Sequence, residues 1–86
     1  MYEIELSKKA ARYYTEIDDK TARMINRCFG IISKNPYYHP NIKKLHGEFK
    51  GSYRYRLGDL RIIYSIDETQ KTLFVELIAQ RGQAYR

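Results

Sequence analysis

The apolar residues of this chain change their spacing once, at the segment NPYYHPN, residues 35–41. Upstream, most of them recur every three to four residues, as on one face of a helix, and downstream they alternate with polar residues, as along a strand. Both prolines of the chain, Pro36 and Pro40, lie within the segment, and proline interrupts regular structure. We therefore expect helices before this segment and a sheet after it.

One short strand and two helices are predicted upstream of the segment. The opening YEIEL alternates as a strand does. Ser7 is a favourable N-cap for a first helix that ends near Ile17. Asp18 or Asp19 begins the second helix, and so short a break predicts an antiparallel helical hairpin that lays both apolar faces on one sheet.

Three strands are predicted downstream, at residues 52–57, 60–66 and 72–79. Gly58 and Asp59 form a two-residue hairpin turn between the first two strands, and DETQK makes a looser turn before the third. Consecutive hairpins make an antiparallel meander, and the N-terminal strand is expected to pair with one of its edges. The predicted fold of residues 1–86 is a single α+β domain of order β-α-α-β-β-β, with an antiparallel sheet packed on a two-helix hairpin.

The tight turn determines which residues face each other in the first hairpin. It places Leu57 opposite Leu60. One step farther from the turn, Arg56 then lies opposite Arg61. Arg54 lies two residues along on the same face. The other face is apolar and is expected to carry the helices; its residues are Tyr53, Tyr55, Leu57, Leu60, Ile62, Tyr64 and Ile66.

Facing arginines are unfavourable unless something negative lies between them. Like charges directly opposite on a sheet destabilise it, and arginine does not lose its proton to relieve the repulsion. Guanidinium groups offer a planar fork of donors that matches phosphate or carboxylate oxygens, so Arg54, Arg56 and Arg61 together suit a phosphodiester. The alternative is an ordinary solvated face on which Glu76 is the counter-ion.

Arg81 and Tyr85 follow the last predicted strand. By strict alternation Arg81 shares a face with Val75 and Leu77, so it joins the other arginines only if the strand ends or bulges near residues 80–82. A tyrosine beside a basic cluster stacks on a nucleobase or delivers a proton to a leaving oxygen. An aromatic residue that anchors the C-terminus to the core is the alternative for Tyr85.

The composition narrows the class of partner and of site. Lysine and arginine number 16 against 10 acidic residues, a net charge of +6 that favours a polyanionic or strongly acidic partner. Cys28 is the single cysteine and is expected in the core, so we predict no disulfide, no metal site and no cofactor. Charged residues near the N-terminus exclude a signal peptide or a membrane span there, and we expect a cytoplasmic protein with no membrane partner.

At these residues the chain resembles the RelE/ParE superfamily of toxins from bacterial and archaeal toxin-antitoxin pairs. The likeness rests on the NP that ends the second helix, the run KKLHGEFKGSYRYRLGDLRIIYSID and the closing ELIAQRGQAYR, in that order. It implies a ribosome-dependent endoribonuclease that cuts mRNA in the ribosomal A site and is held inactive by a cognate, RelB-like antitoxin. The 2′-hydroxyl would attack the adjacent phosphate, leaving a 2′,3′-cyclic phosphate and a 5′-hydroxyl.

The resemblance also implies the catalytic residues. Arg54 and Arg56 match basic positions on the first strand of the meander, and Arg61 matches the arginine after the hairpin turn. Arg81 matches the arginine that ends the last strand, and Tyr85 matches a tyrosine near the C-terminus. These five are the predicted catalytic set.

Arginines do not supply the acid and the base that such a reaction needs. His46 and Glu48, just upstream of the meander, are the candidates for these roles, with Tyr85 as a possible acid. Many relatives have a histidine just before the terminal arginine, where this chain has Gln80, so the assignment stays open.

Three lysines, Lys43, Lys44 and Lys50, are candidates for contact with an RNA backbone. Isolated lysines are, however, more often solvated loop charges.

Two rival functions are also open. The first rival function is a ParE-like toxin that poisons DNA gyrase without cutting RNA. The second is a purely structural basic domain held in complex with an acidic partner.

Overall fold

Residues 1–80 are described by the structure, a computed structural model. Arg81 and Tyr85 lie outside the described residues. A 3-10 turn, Gly47–Phe49, separates two of the strands. The remaining elements, in chain order, are β1 (Glu3–Leu6), α1 (Lys8–Glu16), α2 (Asp19–Lys34), β2 (Ile42–Lys44), β3 (Tyr53–Leu57), β4 (Leu60–Asp67) and β5 (Thr72–Gln80). None of the helices within residues 1–80 has the length and apolar character needed to cross a membrane.

Both predicted helix starts are confirmed by their caps. The Ser7 Oγ accepts a hydrogen bond from the backbone N–H of Ala10 at 3.0 Å. The Asp18 carboxylate accepts one from the backbone N–H of Thr21 at 2.9 Å. Hydrogen bonding to the Thr21 side chain, followed by this backbone bond, holds the pKa of Asp18 below its usual value. A cap of this kind contributes about 1 kcal/mol to helix stability. The two helices therefore begin where the local chemistry of serine and aspartate dictates.

A five-stranded sheet of order β1-β5-β4-β3-β2 forms the other layer. β3, β4 and β5 make the predicted antiparallel meander, and β1 pairs with the edge of β5. The fold class is thus confirmed, with two additions: β1 runs parallel to β5, so the sheet is mixed, and β2 extends it beyond β3. β2 has three residues, which is too short for alternation to reveal it in the sequence.

The helices cover one face of this sheet. The buried residues of α2 are joined in one cluster with the inward residues of the meander, as the alternation predicts. Burial raises the pKa of the Cys28 thiol to about 12, so this cysteine is an inert part of the core. The cluster consists of Ala10, Ile25, Cys28, Ile32, Tyr55, Leu60, Ile62, Tyr64, Leu73, Val75 and Ile78.

A β-bulge at Glu76 changes the face of the residues that follow it. Tyr64 pairs with Val75, whereas the preceding Ile63 pairs with Leu77, so Glu76 is the extra residue of β5. Val75 lies in the helix-covered core, and Leu77 lies in a separate small cluster with Ile63. The prediction that Val75 and Leu77 share a face is therefore wrong, because strict alternation stops at the bulge.

A carboxylate network joins three distant segments at one end of the molecule. Glu68, in the turn between β4 and β5, accepts hydrogen bonds from the hydroxyls of Tyr2, at 2.6 Å, and of Tyr37. Lys71 contacts the other carboxylate oxygen at 2.8 Å. The hydrogen bond from Lys71, followed by those from the two tyrosines, lowers the pKa of Glu68 to about 2. The network ties the N-terminus and the proline segment to the sheet.

The Glu68 network is expected to make the fold sensitive to acid. Its contribution is complete above about pH 5 and is lost as the pH falls towards 2, because the pKa in the folded state lies below that of an unfolded chain, about 4.3. Glu68→Gln is expected to lower the melting temperature by about 2–4 °C at neutral pH. It should also flatten the fall in melting temperature between about pH 5 and 2.

Thermal unfolding followed by circular dichroism across this pH range measures both effects. Glu16→Gln, at an exposed helical position, is the control and is expected to keep the wild-type pH profile. A profile of Glu68→Gln that matches the wild type would show that the network does not stabilise the fold.

Candidate functional site

Four cations share the face of the sheet that the helices leave uncovered. Arg56 pairs with Arg61 across the β3–β4 hairpin, as predicted, and Arg54 pairs with Lys43 across β2 and β3. Alternation along the strands places all four side chains on this face, because the residues next to them in the chain, Ile42, Tyr55 and Ile62, face the helix-covered core. We call Lys43, Arg54, Arg56 and Arg61 the basic patch.

The members of the basic patch differ in how firmly they are held. Arg61 is only 8% exposed, and its guanidinium donates a hydrogen bond to the carbonyl of Leu60 at 3.3 Å. Arg54 is half-buried, and Arg56 is exposed. The patch therefore has a fixed inner arginine and an outer arginine opposite it, an arrangement in which an anion would neutralise both charges.

β2 separates the three predicted RNA-binding lysines. Lys43 faces the arginines, whereas Lys44 pairs with Tyr53 and so lies on the helix side of the sheet. Lys50 is exposed and follows the 3-10 turn. The sequence alone does not distinguish Lys43, a member of the basic patch, from the neighbouring Lys44. β2 has only three residues, so its alternation is too short to show which side chain lies on which face of the sheet.

The 3-10 turn lies over the centre of the same face. Phe49, from the turn, packs against the small cluster of Ile63 and Ala79, and Leu45 and Leu77 complete the contact. The segment that carries the predicted acid and base is therefore anchored on the sheet beside the basic patch. His46 is exposed and directly precedes the turn.

A groove of about 650 Å³ opens between α1, the 3-10 turn and β5. Glu48 and Glu76 both line it, as does Ala79, the residue that pairs with Arg61 in the sheet. The groove thus brings a predicted candidate, Glu48, to the strand beside the innermost arginine. Lys9, Arg12 and Glu16 line it on the side of α1.

Glu76 has a hydrogen-bond partner other than the arginines. Its carboxylate accepts a hydrogen bond from the Ser52 hydroxyl at 2.6 Å, and Ser52 is only 6% exposed. Within the part of the chain that the structure describes, Glu76 forms no salt bridge with Arg54 or Arg56. The alternative in which Glu76 neutralises the arginines is therefore not what the described residues show.

The chemistry open to this arrangement is anion binding. Four cationic side chains present hydrogen-bond donors on one face and are suited to phosphate oxygens. They stabilise a charge that develops on a bound phosphate, and proton transfer requires other groups. Glu48 and Glu76 line the groove and His46 precedes the 3-10 turn, and all three are of the side-chain types that transfer protons. Arg81 and Tyr85 lie outside the described residues and stay predictions.

Known proteins share the fold and the sequence pattern over nearly the whole chain. Residues 4–85 match a family described as the ParE toxin of type II toxin-antitoxin systems, parDE. Toxin RelE of Mycobacterium tuberculosis is 30% identical over 86 residues, covering 99% of this chain and 87% of that protein. These similarities extend through both helices and the basic patch.

Solved structures are similar in the same way. A chain of the archaeal RelE-RelB complex from Pyrococcus horikoshii superposes with a TM-score of 0.80 at 25% identity, covering 95% of this chain and 97% of that one. A chain of the toxin-antitoxin complex RelBE2 from Mycobacterium tuberculosis gives a TM-score of 0.78 at 25% identity, covering 93% of this chain and 98% of that one.

Replacing the outer arginine is expected to stabilise the free protein. Arg56→Thr removes the repulsion between two facing cations and adds a good strand former, so the free energy of unfolding should rise by about 0.5 kcal/mol. Sulfate should raise the melting temperature of the wild type more than that of Arg56→Thr, since an anion bound between the arginines stabilises the folded state. Urea unfolding measures the first effect, and thermal unfolding with and without sulfate measures the second.

Lys44→Thr is the matched control, because Lys44 lies on the same sheet and faces Tyr53 rather than a cation. It should leave the response to sulfate unchanged. Destabilisation by Arg56→Thr, or an equal sulfate response in both variants, would show that Arg56 and Arg61 do not hold an anion between them.

Proposed function

Since the chain belongs to the RelE/ParE superfamily of toxins from type II toxin-antitoxin systems, we propose that this toxin is a ribosome-dependent endoribonuclease that cuts mRNA in the ribosomal A site. The observation that carries the proposal is the placement of Arg56 opposite Arg61, with Arg54 and Lys43 beside them on one open face. A surface that holds a single phosphodiester needs such convergence, and a solvated strand does not.

The proposed reaction is an internal transfer of the phosphodiester. The 2′-oxygen of one nucleotide forms a bond to the adjacent phosphorus, and the bond from phosphorus to the 5′-oxygen of the next nucleotide breaks. The products are a 2′,3′-cyclic phosphate and a 5′-hydroxyl. The phosphate carries extra negative charge in the transition state, and Arg61, held by its backbone contact, together with Arg56 is positioned to stabilise it.

Two protons move in this reaction, and arginine moves neither. A base takes the proton of the 2′-hydroxyl, and an acid gives one to the 5′-oxygen. We assign the base to Glu48, since it lines the groove that Ala79 borders beside Arg61, whereas Glu76 is held by Ser52. Tyr85 is our candidate for the acid and Arg81 for a further stabilising charge, at positions that the resemblance matches to the family's tyrosine and arginine.

The toxin is proposed to be held inactive by a cognate antitoxin. RelE-RelB from Pyrococcus horikoshii and RelBE2 from Mycobacterium tuberculosis are both complexes of this kind. The net charge of +6 favours an acidic partner segment.

Gyrase poisoning is the second candidate function. The matching family is described as the ParE toxin, and a toxin that acts by contact with a protein needs no phosphate site. The basic patch favours RNA cleavage of the two, because contact with gyrase does not require arginines that converge on one spot.

Cleavage at the A site is expected to depend on the outer arginine. Arg56→Thr should lower the rate of mRNA cutting by about 10²–10³-fold, the usual effect of removing one group that stabilises a transition-state charge. Primer extension on mRNA bound to purified ribosomes measures the cuts. Lys44→Thr, on the other face of the sheet, should cut at the wild-type rate. Intact mRNA with the wild-type protein, together with stalled gyrase complexes, would support gyrase poisoning instead.

Glu48→Gln separates the two candidate bases. If Glu48 accepts the proton of the 2′-hydroxyl, this variant should lose about 10²–10⁴-fold in single-turnover cleavage rate while ribosome binding is kept. His46→Gln is the matched variant and should retain the wild-type cleavage rate. The reverse result would transfer the role of the base to His46.

A further inference from the structure

A second row of cations runs along the outer side of α2. Lys20, Arg23, Arg27 and Lys34 are all exposed. At about 100° per residue they fall within an arc of about 60°, opposite the stripe that α2 buries against the sheet, and they extend for about 21 Å along the axis. We call these four residues the helix stripe.

Asp19, the first residue of α2 and four positions before Arg23, is the single acidic residue of this helix. Residues 20–34 contain four lysines and arginines and no aspartate or glutamate. None of the four cations forms a salt bridge with another of the described residues. A solvated helix face usually mixes both signs of charge so that pairs at i,i+4 stabilise it. Beyond Asp19 the charges of α2 are all positive, and no salt bridge between described residues offsets their mutual repulsion.

Gly30 lies at the edge of the same stripe and is exposed. Glycine inside a helix is less favourable than any ordinary residue except proline. Packing within the fold does not explain why this position is glycine, since a Cβ added at Gly30 would meet nothing within 4 Å. A helix surface without a side chain, between Arg27 and Lys34, allows the backbone of a partner to approach closely.

The chemistry of the helix stripe fits a nucleic-acid backbone better than a protein. The centre of a protein interface is apolar and depleted in lysine, whereas the stripe consists of lysine, arginine and one glycine. A row of cations along a straight rod matches the regular negative charge of a phosphodiester chain. The stripe also lies on the helical layer, on the opposite side of the molecule from the basic patch, so one RNA strand does not contact both.

We propose that the helix stripe is a second RNA-binding surface, which docks on a phosphodiester backbone of ribosomal RNA while the basic patch holds the mRNA phosphate. The proposal rests on the proposed function, because the ribosome supplies RNA on more than one side of a protein in its A site. The partner backbone is closest at Gly30, and Arg23, Arg27 and Lys34 contact its phosphates. The toxin is thereby oriented with its open sheet face towards the message.

Two variants test the proposal through binding rather than cleavage. Gly30→Gln adds a neutral side chain that the fold accommodates, so it should raise the melting temperature by about 4 °C. It should nevertheless weaken binding to purified ribosomes and to a fully paired RNA duplex by about 3–10-fold. Arg27→Gln should weaken both by a similar factor and lower the slope of log affinity against log salt concentration by about 1.

Lys8→Gln is the control for net charge, since it removes one exposed cation from α1 and leaves the helix stripe intact. Its affinity for ribosomes and duplex should stay close to that of the wild type. Equal losses in Lys8→Gln and Arg27→Gln, or a stabilised Gly30→Gln with wild-type affinity, would overturn the proposal. Loss of antitoxin binding with RNA binding unchanged would assign the stripe to a protein partner and overturn it too.

These outcomes are independent of the proposed nuclease. The duplex contains no cut site, so the contribution of the helix stripe to binding is measured whether or not the toxin cleaves mRNA. If primer extension shows no cuts while the stripe variants still lose duplex affinity, the nuclease proposal is wrong and the second RNA-binding surface is supported. If cuts appear but the stripe variants bind as the wild type does, the nuclease proposal is supported and the second RNA-binding surface is wrong.

Discussion

The two-residue turn at Gly58 and Asp59 is the constraint from which the rest of the site follows. Gly58 has φ of +59°, a conformation that glycine adopts without strain. A turn of this length fixes the register of β3 against β4, and a shift of one residue would move every side chain to the opposite face. The register brings Arg56 opposite Arg61 and at the same time turns Tyr55 and Ile62 towards the helices.

The two faces of the sheet have opposing energetic roles. The face under α1 and α2 supplies the burial of apolar surface that makes the domain stable. The open face carries charges that repel each other, and its small cluster around Ile63 holds the 3-10 turn in place beside them. Burial of apolar surface on one side thus stabilises a domain whose other side carries facing like charges, and local costs of this kind cluster at functional sites.

Much of the fold was predictable from local chemistry. Ser7 and Asp18 cap the helices as their side chains dictate, and the hairpin register follows from the turn. The bulge at Glu76, the strand β2 and the parallel pairing of β1 were not predictable. They depend on pairings between segments far apart in the chain, such as Ile4 with Leu73, and an isolated sequence pattern does not encode which edge a strand joins. The carboxylate network of Glu68 has the same origin. Its tyrosine partners, Tyr37 and Tyr2, precede Glu68 by 31 and 66 positions in the chain.

The sequence by itself determined the two helices, the strands other than β2, the register of the central hairpin and the convergence of three arginines, Arg54, Arg56 and Arg61. Each of these follows from spacing within a few residues. The tertiary structure alone decided that Lys43 joins the basic patch while Lys44 does not, and that Glu48 lies in a groove beside the strand of Ala79. Adjacent lysines on opposite faces are distinguished only when β2 pairs with β3, and that pairing is a contact between segments separated by a loop.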